Sequence, residues 1–254
     1  SDSKNLSLDE DNLIIKAANL LREKSSKKDL GASIYLRKRI PIGAGLAGGS
    51  SDCAATLIGL NKFWGLNYRK KTLEEFASEL GSDIPFCISG GTQLCFGRGE
   101  ILEKVDIKDS YNAILLVKDP SASVSTPWAY GKFRELNGLK YLEKESQFEE
   151  KRNLLRSKSW LRILTNNKSQ NLLNDLQDVV APLTPAVNKA LQLLKKLPGA
   201  NSVSMSGSGP SCFALYSNLA KAEEDLIDFR SQFEDFGLDV WCCSFLSHGV
   251  IIKS

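Results

Sequence analysis

The sequence has 254 residues, of which 42% are hydrophobic and 25% charged, an ordinary composition for a globular protein of one large domain or two moderate ones. The formal net charge of +3 is too small to indicate a nucleic-acid-binding protein, and the basic residues are not gathered into one dense run. No stretch is as long and apolar as a membrane-spanning helix, and the first residues resemble no secretion signal. We therefore expect a soluble protein that binds neither nucleic acid nor a membrane.

The six cysteines lie mostly beside apolar residues and show no Cys-x-x-Cys spacing. We interpret them as buried thiols in a reducing compartment, rather than as a zinc site or a disulfide framework. The one histidine, His248, lies near the end of the sequence. This disfavours a histidine-based catalytic triad and a histidine-rich metal site.

The first predicted element is an amphipathic helix over residues 9–24, in which apolar side chains recur at helical spacing. Acidic residues at its start suit the positive end of the helix dipole. Asn12 is placed where it can cap this helix. Residues 31–40 then partly alternate apolar and polar side chains, which predicts a half-buried strand.

A glycine-rich segment follows that strand, with the sequence Pro-Ile-Gly-Ala-Gly-Leu-Ala-Gly-Gly-Ser-Ser over residues 41–51. Ser50 or Ser51 can act as the N-cap of the next predicted helix. The apolar face of that helix would contain Ala54, Leu57, Ile58 and Leu60. Glycines let backbone N–H groups approach an anion, and the helix dipole favours negative charge there, so the segment predicts a polyphosphate site.

Two better-known phosphate motifs do not fit the glycine-rich segment. No Gly-Lys-Ser/Thr follows the glycines, which excludes the Walker pattern. The dinucleotide pattern fits poorly, because no acidic residue ends a second strand about twenty residues further on. Taken alone, the segment can also be a flexible turn with a capping serine.

A short helix over residues 72–80 is predicted from a capping box of Thr72 and Glu75. Asp83 follows it, and is the one acidic residue in an otherwise apolar or small stretch over residues 80–97. Because burial of an unpaired carboxylate is costly, Asp83 must be solvated, paired or used in chemistry. A helix cap before a proline-marked turn is the structural interpretation, and a catalytic carboxylate is the functional one.

The rest of the sequence alternates strand and helix patterns. A hairpin is predicted over residues 90–102. The polar segment 106–110 marks a boundary that predicts domains over residues 1–108 and 109–254. Residues 132–168 are interpreted as a solvated helical excursion with a loop. Strands are further predicted at residues 113–117, 203–206, 212–216 and 240–245, and helices from Thr126, from Pro182 or Pro185 and over residues 219–233.

A second small-residue loop, Met-Ser-Gly-Ser-Gly-Pro-Ser over residues 205–211, lies between two of these predicted strands. Its small side chains would let its backbone approach the first glycine-rich segment closely. Taken alone, it can be a common glycine hairpin.

Three motifs, in the order Pro-x-x-x-Gly-Leu-x-Gly-Gly-Ser-Ser, Gly-Ser-Asp-Ile-Pro-Phe and Met-Ser-Gly-Ser-Gly-Pro-Ser, resemble those of the GHMP small-molecule kinases. That superfamily includes galactokinase, homoserine kinase, mevalonate kinase and the diphosphocytidyl-methylerythritol kinases. The last branch is favoured by Asp11-Asn12-Leu13-Ile14, Ala47-Gly48-Gly49-Ser50-Ser51-Asp52, the Gly-Ser-Asp-Ile-Pro-Phe string and Gly97-Arg98-Gly99-Glu100. The resemblance implies a two-domain α+β fold, with a left-handed βαβ crossover in the N-terminal domain and a ferredoxin-like C-terminal domain.

The same resemblance implies roles for individual residues. Asp83 would be catalytic, Ser50 or Ser51 would help to orient Mg²⁺, and a loop of Ser206, Gly207, Ser208 and Gly209 would close the site. The implied ATP-binding residues are Asn12, Lys38, Pro41, Ile42, Gly43, Ala44, Gly45, Leu46, Ala47, Gly48, Gly49, Ser50 and Ser51. For Asn12, which would face adenine, a helix cap is the competing interpretation. For Lys38 the competing interpretation is a solvated strand lysine.

The activity implied for this branch is ATP-dependent phosphorylation of a hydroxyl of 4-diphosphocytidyl-2-C-methyl-D-erythritol, in the non-mevalonate isoprenoid route. ATP and Mg²⁺ would be the cofactors and the cytidine-diphosphate alcohol the small-molecule partner, in a bacterial cytoplasm or a plastid stroma. Two alternatives stay open: another GHMP kinase acting on homoserine, mevalonate or a sugar, and a nucleotide-binding relative without catalytic activity.

The sequence departs from the family pattern at its start. The family carries an early Lys-x-Asn segment with a catalytic lysine and a Gly-Tyr-His segment that holds the cytosine ring. Neither segment precedes the first predicted helix. We expect either that the natural protein is longer and carries both segments, or that it has lost them, in which case the non-catalytic alternative is favoured.

Overall fold

The computed structural model describes residues 1–2, 6, 9–27, 29–106, 113–138, 141–157 and 172–253. The chain divides into two compact units. The first unit contains Ser1–Ile42, Ala47–Asp106 and Leu246–Ser254, and the second contains Gly43–Leu46 and Ile107–Phe245. Residues 43–46 of the glycine-rich segment therefore belong to the second unit, and the rest of the segment belongs to the first. The division of the sequence after residue 108 stays a prediction.

The first unit is mainly helical. Its elements are α1 (Leu13–Lys24), α2 (Gly48–Phe63), α3 (Lys70–Leu80), α4 (Ile84–Ser89), β1 (Gln93–Phe96) and β2 (Ile101–Lys104). The strands β1 and β2 form the predicted antiparallel hairpin. Apolar side chains at helical spacing make one shared core, built from Ala17, Leu21, Cys53, Ala54, Leu57, Leu60, Leu73, Ala77, Ile84 and Ile88.

The strand predicted over residues 31–40 is wrong. This stretch runs without strand pairing in the described part of the chain, and the backbone N–H of Asp2 donates to the carbonyl of Leu36 at 3.1 Å. The side chain of Tyr35 is 74% exposed and that of Ile34 is 42% exposed. Alternation selects two faces of an extended chain, but a strand also needs a neighbour for its backbone hydrogen bonds.

Two predicted helix starts also differ from the structure. Ser50 and Ser51 lie inside the first turn of α2, and Ala47 is the N-cap, so the capping role predicted for these serines is wrong. The helix starts earlier because Gly48 and Gly49 adopt the helical conformation themselves. Similarly, α3 begins at Lys70 with no side-chain cap, two residues before the predicted capping box.

The last described residues pack on the first unit. The backbone N–H of Gly249 donates to the carbonyl of Ser89 at 3.2 Å, and that of Val250 donates to Cys87 at 3.2 Å. A Cβ atom at Gly90 would collide with the backbone of His248 and Gly249. Residues 248–250 therefore pack directly against the C-terminal end of α4.

The second unit combines a four-stranded sheet with helices. Its elements are β3 (Ala113–Lys118), α5 (Thr126–Asn137), α6 (Glu145–Arg156), α7 (Gln177–Leu183), α8 (Pro185–Leu194), β4 (Ser202–Met205), β5 (Cys212–Tyr216), α9 (Leu219–Asp228), α10 (Arg230–Asp235) and β6 (Asp239–Ser244). The helix predicted over residues 219–233 is interrupted at Phe229, which ends α9 and precedes α10.

The sheet has the strand order β4-β5-β3-β6, and its three pairings are all antiparallel. Strands and helices alternate in chain order as β, α, β, β, α, β, which is the ferredoxin-like arrangement. The central strand β3 has five of its six residues buried or nearly so because it has a neighbour on each side. In the described part of the first unit the strands are β1 and β2, so the left-handed βαβ crossover stays a prediction.

A buried polar pair ties β5 to α9. The hydroxyl of Tyr216 donates to Asp225 Oδ2 at 2.7 Å, and the backbone N–H of Gly199 donates to the same oxygen at 2.9 Å. Tyr216 is fully buried and Asp225 is 5% exposed. Burial is the largest cause that raises the pKa of the Tyr216 hydroxyl above its usual range, and the hydrogen bond to Asp225 is the second.

We expect Tyr216→Phe to lower the free energy of unfolding by about 1–3 kcal/mol, because it removes a hydrogen bond from a buried carboxylate. Since the pKa of Tyr216 is raised in the folded state, the stabilisation is fully present below about pH 10 and is lost as the pH rises through the folded pKa. Urea unfolding followed by circular dichroism at pH 8 and pH 10.5 measures both effects. The exposed Tyr35→Phe is the matched control, and equal losses for the two variants would contradict the assignment.

Candidate functional site

The second half of the glycine-rich segment forms the start of α2. Ala47 has φ 48° and ψ 31°, in the left-handed region that residues with side chains seldom adopt. It turns the chain so that Gly48, Gly49 and Ser50 occupy the first helical turn. The first N–H groups of a helix have no acceptor within the helix, and they carry its positive partial charge. This turn is therefore suited to bind an anion.

A lysine lies against that first turn. The ammonium of Lys38 pairs with the carboxylate of Asp52, and the two side chains are 8% and 18% exposed. A Cβ atom at Gly48 would lie 3.1 Å from Lys38 Nζ and 2.8 Å from Ile40 Cγ2, so only glycine leaves room for both side chains. The interpretation of Lys38 as a solvated strand lysine is therefore wrong, because the side chain is buried and paired. A contact between Lys38 and a nucleotide stays a prediction.

The first half of the glycine-rich segment is held by the loop at residues 206–211. Ser206 Oγ donates to the carbonyl of Gly45 at 2.9 Å, and the backbone N–H of Ser211 donates to the carbonyl of Ala44 at 3.3 Å. Gly45 has φ +69°, and a Cβ atom there would lie 2.8 Å from the carbonyl oxygen of Ser206 and closer still to that of Gly209. The close approach of the two loops is thus present, and it requires glycine at residue 45.

The loop at residues 206–211 is itself supported from the helical side of the second unit. Ser208 is buried, and its hydroxyl lies 2.8 Å from Thr126 Oγ1 at the start of α5. Asn174 and Gln177 bond to the backbone at the end of β4. The sequence analysis missed both residues. An asparagine shortly before a helix is a recognisable signal for bonds to the first N–H groups of that helix. The bonds from Asn174 to the carbonyls of Met205 and Gly207 could not be predicted in this way, because they depend on the strand order.

Asp83 lies immediately before α4. Its carboxylate is exposed and makes no capping hydrogen bond to that helix, so the helix-cap interpretation of its side chain is wrong. The thiol of Cys87, one turn further on, has its pKa raised to about 11 by burial and then by the negative charges of Asp83 and Asp52.

Asn12 caps α1. Its Oδ1 accepts from the backbone N–H of Ile14 at 2.9 Å, which confirms the capping interpretation. The predicted contact between Asn12 and adenine is a separate matter and stays a prediction.

Ser50 and Ser51 place two half-buried hydroxyls in the first turn of α2. Mg²⁺ prefers oxygen ligands and is usually held by one or two protein groups together with substrate phosphates and water. Hydroxyls beside a phosphate-binding turn fit this donor set. Among the described residues, no group of three or more His, Cys, Asp or Glu side chains is arranged to hold a metal. None of the helices described is long and apolar enough to cross a membrane.

Family models match both parts of the chain. The model of the GHMP kinases N terminal domain matches residues 12–91, and that of the GHMP kinases C terminal matches residues 148–235. Together they cover more than half of the sequence, so the chain belongs to the GHMP kinase family. Membership of this kinase family implies ATP as a substrate.

Curated relatives identify the branch of the GHMP kinase family to which the chain belongs. A 4-diphosphocytidyl-2-C-methyl-D-erythritol kinase of Prochlorococcus marinus is 56% identical over 253 residues, covering 100% of this chain and 79% of the relative. One of a Synechococcus species is 55% identical, covering 100% of this chain and 82% of the relative. Within the GHMP kinases, the chain belongs to the 4-diphosphocytidyl-2-C-methyl-D-erythritol kinase branch.

Solved structures agree in fold. A 4-(cytidine 5'-diphospho)-2C-methyl-D-erythritol kinase superposes with a TM-score of 0.72 at 27% identity, covering 96% of this chain and 81% of that one. A homoserine kinase from Cytophaga hutchinsonii superposes with a TM-score of 0.66 at 20% identity, covering 98% and 81%. The second likeness concerns the fold alone, and the two-domain α+β class predicted from the sequence is confirmed.

We expect Gly45→Ala to lower the free energy of unfolding of the second unit by about 1–3 kcal/mol, because φ +69° and the carbonyls of residues 206 and 209 leave no place for a Cβ atom. Hydrogen exchange of the amides in β5 measures this loss. Gly59→Ala is the control, since Gly59 lies inside α2 with open space around it, and this variant should be neutral or more stable by about 0.5–1 kcal/mol. Similar effects of the two variants would show that the loop contact does not constrain residue 45.

The cysteines give a second test of the site's surroundings. Burial raises the pKa of the Cys53 thiol to about 12 and that of the Cys212 thiol to about 12, whereas Cys95 is exposed, contrary to the prediction that all six are buried. At pH 8 a thiol with a pKa of 11 or above is ionised to about one part in a thousand or less. We therefore expect iodoacetamide to label Cys95 well before Cys53, Cys87 and Cys212, as measured by peptide mass spectrometry. Equal labelling rates in the native protein would contradict this environment.

Proposed function

We propose that this protein transfers the γ-phosphoryl group of ATP to a hydroxyl of 4-diphosphocytidyl-2-C-methyl-D-erythritol, in the formation of isoprenoid precursors. The observation that carries the proposal is the 56% identity to a kinase of that name over 253 residues, a match that covers the whole chain. The first two motifs also form the structures that such chemistry needs, namely a positive helix end and an exposed carboxylate.

The phosphates of ATP bind at the first turn of α2, where the N–H groups of Gly48, Gly49 and Ser50 are directed outward along the helix axis. The ammonium of Lys38 adds positive charge beside this turn, with Asp52 holding it in place. The segment from Pro41 to Leu46 leads into the turn, and Ser206, Gly207, Ser208 and Gly209 form the loop that holds this approach. Asn12 contacts the adenine ring from the start of α1.

Ser50 or Ser51 would hold Mg²⁺ through its hydroxyl, and the ion would supply neutralisation of phosphate charge. Asp83 accepts the proton of the substrate hydroxyl, or orients that hydroxyl toward the γ-phosphate. Its exposed carboxylate is available for this role because it is not used as a helix cap. Phosphoryl transfer depends chiefly on positioning and charge neutralisation, so the site needs no covalent nucleophile.

In terms of domains, we propose an ATP-binding part over residues 1–108 and a ferredoxin-like part over residues 109–254. The curated relatives named above are cyanobacterial. We accordingly place the activity in a bacterial cytoplasm, with a plastid stroma as the other compartment where this chemistry would occur.

We expect Asp83→Asn to lower kcat by on the order of 100-fold or more, because the amide cannot accept the hydroxyl proton. The dissociation constant for ATP should stay unchanged, since Asp83 does not contact the first turn of α2 in this assignment. ADP formation with 4-diphosphocytidyl-2-C-methyl-D-erythritol gives kcat, and calorimetric titration gives the ATP affinity. Glu75→Gln, an exposed acid of α3, is the matched control and should retain wild-type turnover. Near-normal turnover of Asp83→Asn would remove Asp83 from the mechanism.

The substrate is tested with a panel of acceptor alcohols. Turnover with the cytidine-diphosphate alcohol, and not with homoserine, mevalonate or galactose, supports the proposal. Preference for one of the other alcohols would overturn the substrate assignment. Binding of ATP without ADP formation on any acceptor would overturn the kinase activity of this chain and would define it as a nucleotide-binding protein.

A further inference from the structure

Asn174 bonds to four backbone groups of the second unit. Its Oδ1 accepts from the N–H groups of Leu176 at 3.1 Å and Gln177 at 3.3 Å, at the start of α7. Its Nδ2 donates to the carbonyls of Met205 at 2.8 Å and Gly207 at 2.9 Å. Backbone N–H groups only donate and carbonyls only accept, so these partners permit one orientation of the amide. One side chain thus joins the start of a helix to the loop at residues 206–209.

Side chains bond to backbone groups of β4 that a neighbouring strand would pair if β4 were inside the sheet. β4 is at the edge of the sheet, so one side of its backbone has no neighbouring strand within the described sheet. On that side Met205 is bonded by side chains: its N–H donates to Gln177 Oε1 at 2.7 Å, and its carbonyl accepts from Asn174. In the loop, Gly207 at φ +54° and Gly209 at φ +81° have no side chains with which to restrain the backbone, so bonds from outside the loop contribute to its order.

The two carbonyls held by Asn174 lie on either side of Ser206. That serine is the residue whose hydroxyl donates to the carbonyl of Gly45 at 2.9 Å. The Met205 carbonyl belongs to the peptide group just before Ser206, and the Gly207 carbonyl to the second peptide group after it. The two bonds therefore restrain the backbone on both sides of Ser206, from which its hydroxyl reaches Gly45. Gly45 in turn leads, two residues later, into Ala47 and the first turn of α2.

From this chain of contacts we propose that Asn174 is a positioning residue for ATP binding, which acts through Ser206 on the conformation of the glycine-rich segment. This inference rests on the proposed function, in which that segment binds the phosphates of ATP. Asn174 itself does not contact the reacting atoms.

Asn174→Asp separates this role from the bonds that Asn174 makes just before α7. The carboxylate still accepts from the N–H groups of Leu176 and Gln177, so both of these bonds are kept. It can no longer donate to the carbonyls of Met205 and Gly207, and it places negative charge beside both oxygens. We expect ATP binding about tenfold weaker by calorimetric titration, a KM for ATP raised to a similar extent, and an unchanged KM for the acceptor alcohol. Amide exchange at residues 206–209 should also become faster.

Asn218→Asp is the matched control. Asn218 accepts from the N–H of Lys221 at 3.0 Å at the start of α9, so this variant has the same charge change beside helix N–H groups but away from the loop. It should bind ATP within twofold of the wild type and leave the loop exchange unaltered. If Asn174→Asp loses the wild-type circular dichroism spectrum, Asn174→Ser, which keeps an acceptor oxygen and one donor, takes its place with a smaller expected loss.

A double-mutant cycle tests whether Asn174 acts through Ser206. Ser206→Ala removes the bond to Gly45, so adding Asn174→Asp to it should weaken ATP binding little further. Additive losses, or an Asn174→Asp variant that binds ATP as tightly as the wild type, would overturn the positioning role. If the wild-type chain itself fails to bind ATP, the proposed function fails. The exchange rates at residues 206–209 still decide whether Asn174 orders the loop.

Discussion

The structure depends on the close approach of two backbones that have no side chains between them. At Gly45 the chain passes so near the carbonyls of Ser206 and Gly209 that a single methyl group would force them apart. Two hydrogen bonds, from Ser206 Oγ and from the N–H of Ser211, hold this approach. Gly45 is followed two residues later by the left-handed turn at Ala47, which precedes α2. This steric constraint requires glycine at residue 45.

Charge is arranged around the start of α2 in a way that suits an anionic guest. Placing an ammonium near the positive end of a helix is unfavourable by itself, and Asp52, one turn into α2, offsets this by pairing with Lys38. The charges of Lys38 and Asp52 therefore offset each other, and the N–H groups of the first turn of α2 remain directed outward. An incoming polyphosphate would therefore meet donors that are already oriented, which reduces the cost of ordering them on binding.

Much of this could be predicted from the sequence, and the limits have physical reasons. Motif order identified the family, and apolar periodicity located α1, the strands of the ferredoxin-like sheet and the hairpin. The pattern over residues 31–40 failed because alternation says nothing about whether a neighbouring strand is available. The predicted N-caps Ser50 and Ser51 were wrong because α2 begins earlier, at Gly48, without a side-chain cap. Asn174 was missed because its partners are set by the edge position of β4, which follows from strand order and not from local sequence.

Residues 246–254 make the first unit discontinuous in sequence. Gly249 and Val250 donate to the carbonyls of Ser89 and Cys87, although the whole of the second unit after residue 106 lies between these partners in the chain. The bonds therefore close a loop of about 160 residues, whose entropic cost grows only slowly with loop length, so insertions in that part of the chain should weaken them little.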